Sequence, residues 1–185
     1  MIKEFIKKIN IKNNENIQIF DIYFRWKELN LMIKSYYTRG LNLHEIITET
    51  LCCIINDYKL MASKGGSEDA ISKDNRKVQI KATSNFYDDL TSFGPRSEFD
   101  ILEFMRLDIE NDRFYCYRID INYLNNILVN HNLSFNEQKK FGKRPRFSII
   151  KSIINKNNLK EYAIIDMNSG DVYFKGENDE ENQSC

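Results

Sequence analysis

Apolar and polar positions along the chain fall into helical and strand-like periods. Ile19, Tyr23, Trp26, Ile33 and Tyr37 recur at helical spacing, which predicts a helix over 15–37 that breaks at Thr38-Arg39-Gly40. Leu43, Ile47, Leu51, Ile54 and Tyr58 form a second stripe and predict a helix over 43–58, with Asn42 as its N-cap. Glu45 and Glu49 are four apart and share a face of that helix, roughly opposite the stripe. Lys64-Gly65-Gly66-Ser67 is a turn signal. A short apolar step at Ala70-Ile71 and a polar turn at Lys73-Asp74-Asn75-Arg76 follow, and then the period changes to two. Val78, Ile80 and Ala82 face one way, while Lys77, Gln79, Lys81 and Thr83 face the other, which predicts a β-hairpin with one buried face.

Residues 85–98 read as a loop, and the segments FDILEFMRLD and RFYCYRIDI read as strands joined at Asn111-Asp112. A helix is predicted over 122–130, then a basic loop, then a helical stretch holding Ile149, Ile150, Ile153 and Ile154. AIIDM and DVYF flank Asn168-Ser169-Gly170 as a final hairpin. This order of elements predicts an α/β or α+β fold with a central mixed sheet.

Composition narrows the function classes. The chain has 185 residues, with 42% apolar and 29% charged, which fits one globular domain. We expect that domain to span 1–175 and the acidic tail 176–185 to be disordered. No apolar run approaches the ~20 residues that span a bilayer, and the charged start MIKEFIKKIN has no apolar signal core. Cys52, Cys53, Cys116 and Cys185 include no CxxC pair, which argues against a zinc site or disulfide framework and for a reducing cytoplasm.

Net charge is zero, but its distribution is uneven. Glu177, Asp179, Glu180 and Glu181 lie in the tail, so the body is basic by about four charges. Lys139, Lys140, Lys143, Arg144 and Arg146 cluster in KKFGKRPR, which suits contact with phosphates.

The hairpin carries the candidate chemistry. Asp69 enters its first strand, and Gln79 and Lys81 sit two apart on the second, on one face. Two oxygen donors can hold Mg²⁺, a hard cation, and an ammonium can orient water and offset developing charge. Glu49 of the preceding helix can add a ligand, with Glu45 as its rival. A two-residue turn at Asp74-Asn75 would pair Asp69 with Ile80 and put Glu68 on the Gln79 and Lys81 face instead. A bulge or a longer turn restores Asp69, so Asp69 and Glu68 both stand as candidates. His44 and His131 are too few and too far apart for a histidine-based nuclease. No GxGxxG, GxxxxGK[ST] or GxSxG is present, which leaves no nucleotide cofactor loop and no serine-hydrolase elbow.

The spacing of Asp69, Gln79 and Lys81 resembles the PD-(D/E)XK nuclease core. RGLNLHEIITETL, SEDA and VQIKATSNFYDDLTSFGPRSEFDILEFMRLD resemble small type II restriction endonucleases, in particular the group that reads GCNGC, over about residues 20–150. The resemblance implies a restriction-endonuclease α/β core, with a central mixed sheet flanked by helices. It implies a homodimer on double-stranded DNA that leaves 5′-phosphate and 3′-hydroxyl ends. It implies catalysis by Asp69, Gln79, Lys81 and Glu49, and a Mg²⁺ held by Asp69, Gln79, Glu49 and the Ile80 carbonyl. Gln79 stands where an acidic residue is usual in the family, so its neutral oxygen binds a metal more weakly and a helix glutamate gains in value. For a GC-rich site the candidate DNA contacts are Asn85, Asp88, Asp89, Ser92 and Arg96 after the hairpin, with Lys143, Arg144 and Arg146 in the basic segment.

Overall fold

The computed structural model describes residues 5–61, 68–125, 127–129 and 132–176. The turn signal at 64–67, His131 and all but the first residue of the acidic tail lie outside them.

The described chain is α/β, with a large mixed sheet between helices. In chain order it forms β1 (Phe5–Asn10), α1 (Ile17–Tyr36), α2 (Glu45–Asn56), β2 (Lys59–Leu60), β3 (Ala70–Ile71), β4 (Lys77–Thr83) and β5 (Thr91–Ser92). It continues with β6 (Ile101–Asp108), β7 (Arg113–Ile119), α3 (Asn122–Asn125), α4 (Phe135–Lys140) and β8 (Arg146–Phe147). A π-helical turn (Ile150–Asn155), β9 (Ala163–Asp166) and β10 (Asp171–Lys175) complete it. The main sheet has the order β1-β10-β9-β7-β6-β4-β3-β2, and β5 pairs with β8 in a separate two-stranded sheet. In the main sheet β4 and β6 run parallel and the other neighbours antiparallel. No described helix is long and apolar enough to cross a membrane.

Both faces of the sheet are covered, and this explains why β6 reads as an almost continuous apolar run. Ile101, Met105 and Leu107 face a core built with α1 and α2. Leu102 and Phe104 face a second core with Phe93, Phe135, Phe147 and the isoleucines of the π-helical turn. β4 divides in the same way, with Val78 and Ile80 in the first core. Alternation therefore turns Gln79 and Lys81 toward the second.

Several predicted boundaries shift. The N-cap of α2 is His44, whose Nδ1 accepts from the Ile46 amide at 3.2 Å. Asn42 instead offers its carbonyl to Trp26 Nε1 at 2.9 Å. Of the helix predicted over 122–130, the described residues form only the short α3. Part of the expected basic loop is helical, because Ser134 and Glu137 form a capping box that starts α4. The isoleucine stretch is a π-helical turn, and β1, which the sequence reading did not assign, adds an edge strand along β10.

At the β6–β7 turn, Asp112 adopts a left-handed φ of 53° and is buried. Its carboxylate accepts from Tyr23 Oη at 2.7 Å and pairs with Lys27 at 2.5 Å, which ties α1 to the sheet. Asp112→Ala removes a buried acceptor and puts an unfavourable residue at positive φ, so urea unfolding should show a loss of about 3 kcal/mol. Asp112→Asn keeps an acceptor and tolerates that φ, and should lose clearly less.

Candidate active site

The hairpin register decides which acid joins β4. Ala70 pairs with Val78 and Ile71 with Lys77, so the turn spans Ser72 to Arg76, with Asn75 at a left-handed φ of 61°. This longer turn continues the register to Asp69 opposite Gln79, and the Asp69 amide donates to the Val78 carbonyl at 2.9 Å. Asp69 Oδ2 then accepts from Gln79 Nε2 and from the Ile80 amide, the latter at 2.6 Å. Asp69 meets the Gln79 and Lys81 face directly, and Glu68 lies one residue out of register with it.

Gln79 is buried between two partners. Its Nε2 serves Asp69, and its Oε1 accepts from Ser97 Oγ at 2.8 Å. Lys139 Nζ donates to the Ser97 carbonyl at 2.5 Å, so the basic segment reaches the back of the site. Nothing in the sequence pattern singled out Ser97; only the fold brings it to Gln79. Lys81 extends over the Phe93 ring, 5.9 Å from its centroid. Phe93 is itself fixed between Phe99 and Phe147, at 5.9 and 5.7 Å. The ammonium therefore stands at the end of an aromatic wall beside Gln79.

Glu49 approaches from α2 and is half-buried. Its carboxyl is pushed up to about 7, first by burial and then by the charges of Asp69 and Glu45, with Lys81 acting the other way. Burial also raises Asp69, against the Ile80 amide, Lys81 and Gln79, which favour its ionised form. Burial and the charges of Glu49 and Asp69 hold the Cys53 thiol up at about 12, so it is an inert wall and not a nucleophile. Glu45 is exposed on the same helix. Among the described residues no group of three or more His, Cys, Asp or Glu could hold a metal. A cation here would have to draw on amide or backbone oxygens as well.

The candidate DNA contacts divide by what their side chains already do. Asp89 accepts from Ser148 Oγ at 2.7 Å, from the Ile149 and Ile150 amides at 3.0 and 2.9 Å, and from Thr91 Oγ1 at 2.6 Å. It thereby caps the π-helical turn. Asp88 pairs with Lys151 at 2.5 Å. Ser92 pairs with Arg146 across the β5–β8 ladder, so the two predicted contact segments meet. Asn85, Arg96, Lys143, Arg144 and Arg146 are exposed.

A family model described as Bsp6I restriction endonuclease matches residues 11–156. The type II restriction enzyme Bsp6I of Bacillus sp. (strain RFL6) is 41% identical over 147 residues, covering 78% of this chain and 84% of that enzyme.

Glu49 gives the site a pH signature. Its folded-state pKa lies above the ordinary carboxylate value, so its contribution to stability is complete below the unfolded-state pKa near 4.5 and is lost as pH rises through about 7. Without divalent cations, the wild-type melting temperature should fall relative to that of Glu49→Gln between these limits. Parallel melting profiles of the two proteins would show that the crowding is absent.

Proposed function

The chain belongs to the Bsp6I restriction endonuclease family, and from that membership we propose that it makes Mg²⁺-dependent double-strand cuts in DNA at the sequence GCNGC. On this reading it works with PD-(D/E)XK chemistry and leaves 5′-phosphate and 3′-hydroxyl ends. It acts as a homodimer, in the cytoplasm, where its buried thiols remain reduced. A single nuclease domain would span 1–175, followed by the acidic tail. The observation that carries this reading is the meeting of Asp69, Gln79 and Lys81 on one face of the β3–β4 hairpin, beside Glu49.

The residues present fit a divalent cation. Asp69 and Glu49 stand in a partly buried place where burial raises both carboxyls, and the charges of Asp69 and Glu45 raise Glu49 further while that of Glu45 adds to Asp69. Hard oxygen donors of this kind suit Mg²⁺. Asp69, Glu49, Gln79 and the Ile80 carbonyl would hold it, with Glu45 and Glu68 as rival ligands. Gln79 has its oxygen toward Ser97, and a serine hydroxyl can equally accept from the amide nitrogen, so either end of the amide can serve the site. The bound ion would polarise the scissile phosphate and lower the pKa of a coordinated water.

The chain's own groups supply the rest. Lys81, braced over Phe93, orients the attacking water and offsets the charge that builds on the phosphate. The Ile80 amide and Gln79 hold Asp69 in one orientation. Arg96, Lys143, Arg144 and Arg146 stand exposed for phosphates and guanines. On this reading Asn85, Asp88 and Ser92 add further contacts to DNA, while Asp89 holds the loop to the π-helical turn.

Digestion of a plasmid with Mg²⁺, followed by sequencing of the ends, tests activity, target and cut position together. Discrete fragments with GCNGC at their ends are expected, and none in EDTA. Lys81→Ala should lower the cleavage rate at least about 100-fold while leaving DNA affinity nearly unchanged. Wild-type rates in that variant would remove Lys81 from the mechanism. Arg144→Ala should reduce the slope of log affinity against log salt by about 1 if it touches a phosphate.

A further inference from the structure

Helix α1 carries two apolar stripes. Ile19, Phe20, Tyr23 and Trp26 are buried against the sheet. The second stripe is Ile22, Leu29, Met32 and Tyr36, with Arg25 filling the remaining step. Ile22, Leu29 and Tyr36 are seven apart, as are Arg25 and Met32, which is the a/d pattern of a helix–helix seam. This stripe stands open, with exposures of 42% at Ile22, 48% at Leu29, 55% at Met32 and 80% at Tyr36.

We propose that the Ile22–Tyr36 stripe of α1 is the two-fold contact through which a second copy of this chain docks. The proposal rests on the reading of the chain as a dimeric endonuclease and places the dimer contact within it. Four such side chains leave on the order of 400 Å² of apolar surface in water, about half of what each partner contributes to a standard interface. That is the apolar centre of an interface, and it needs a polar rim. Asp21 and Glu28, each one residue before Ile22 and Leu29, and Arg25 within the stripe are exposed and supply one on the same helix.

Charge argues against DNA as the occupant, because the two acids Asp21 and Glu28 outnumber the one base, Arg25, along the stripe and offer phosphates no net attraction. It suits a second copy, since antiparallel helices crossing at Leu29 set Glu28 of one about 8 Å along the axis from Arg25 of the other. The chain's own remaining segments do not fit either. Residues 62–67 and 177–185 contain no large apolar side chain, and 1–4 is too short to cover about four helical turns. Leu29 is midway between Ile22 and Tyr36 and so sits at the symmetry axis, where it meets its own copy.

Sedimentation velocity on the full chain at micromolar concentration tests this, with Leu29→Asp/Met32→Asp beside the wild type and circular dichroism as the check on folding. The wild type should run at twice the 22.0 kDa of one chain. The variant should run as a folded monomer, its dimer dissociation constant raised at least about 100-fold. In a Cys185→Ser background, Leu29→Cys should cross-link to a covalent dimer under mild oxidation, which keeps the test informative if the double variant misfolds. A variant that stays dimeric, a Leu29→Cys chain that does not cross-link, or a wild type that is monomeric with and without a GCNGC duplex would each overturn the proposal. So would a variant that keeps its dimer but loses DNA affinity, since nucleic acid would then cover the stripe. A wild type that dimerises through this stripe yet cuts no DNA with any divalent metal would strike the nuclease reading and leave the contact standing.

Discussion

The register of the β3–β4 hairpin is the constraint on which the site depends. Side chains alternate along a strand, so a slip of one residue would turn Asp69 away from Gln79 and bring Glu68 in its place. The five-residue turn from Ser72 to Arg76, closed by Asn75 in a left-handed conformation, fixes the pairing of Ile71 with Lys77. Asp69 then receives the Ile80 amide and the Gln79 side chain together. The turn thus selects which acid meets Gln79 and the Ile80 amide.

The sheet imposes the second layer of organisation. Because both faces are buried, β4 can carry Val78 and Ile80 into one core while Gln79 and Lys81 border the other. Glu49 reaches the same place from α2, which packs on the first face. The site is therefore assembled where a helix, a short hairpin and an aromatic cluster converge, and each element holds one group. The cost of that assembly is visible in Glu49, whose carboxyl is raised because burial and Asp69 both disfavour its charge.

Much of this was legible in the sequence. The period-two run from Lys77 to Thr83 matches β4 residue for residue, and the stripe through Tyr23 and Trp26 marks the buried face of α1. The spacing of Asp69, Gln79 and Lys81 pointed to one face of the hairpin but not to its register, because turn length follows from backbone dihedrals that composition leaves open. Ser97 was invisible for a related reason. It lies 18 residues from Gln79, and only the return of the chain into β6 beside β4 makes them neighbours. The short helices were misjudged where caps and tertiary packing outweigh periodicity, as with Ser134 and Glu137 in α4. Tyr37 was another miss, since it shares the spacing of the buried face but ends up in solvent beyond the last turn.

The capping of the π-helical turn by Asp89 has a consequence for how such a protein could change its target. One carboxylate joins the loop after β4 to the segment after β8, and the β5–β8 ladder ties the same two segments again. On the proposed reading, the loop is thus set before any duplex arrives, and little conformational entropy remains to be lost on binding. The exposed side chains at Arg96, Lys143 and Arg144 take no part in that scaffold. If these residues read the target as proposed, a lineage can exchange them one at a time while Asp89 preserves the frame on which each new preference is tried.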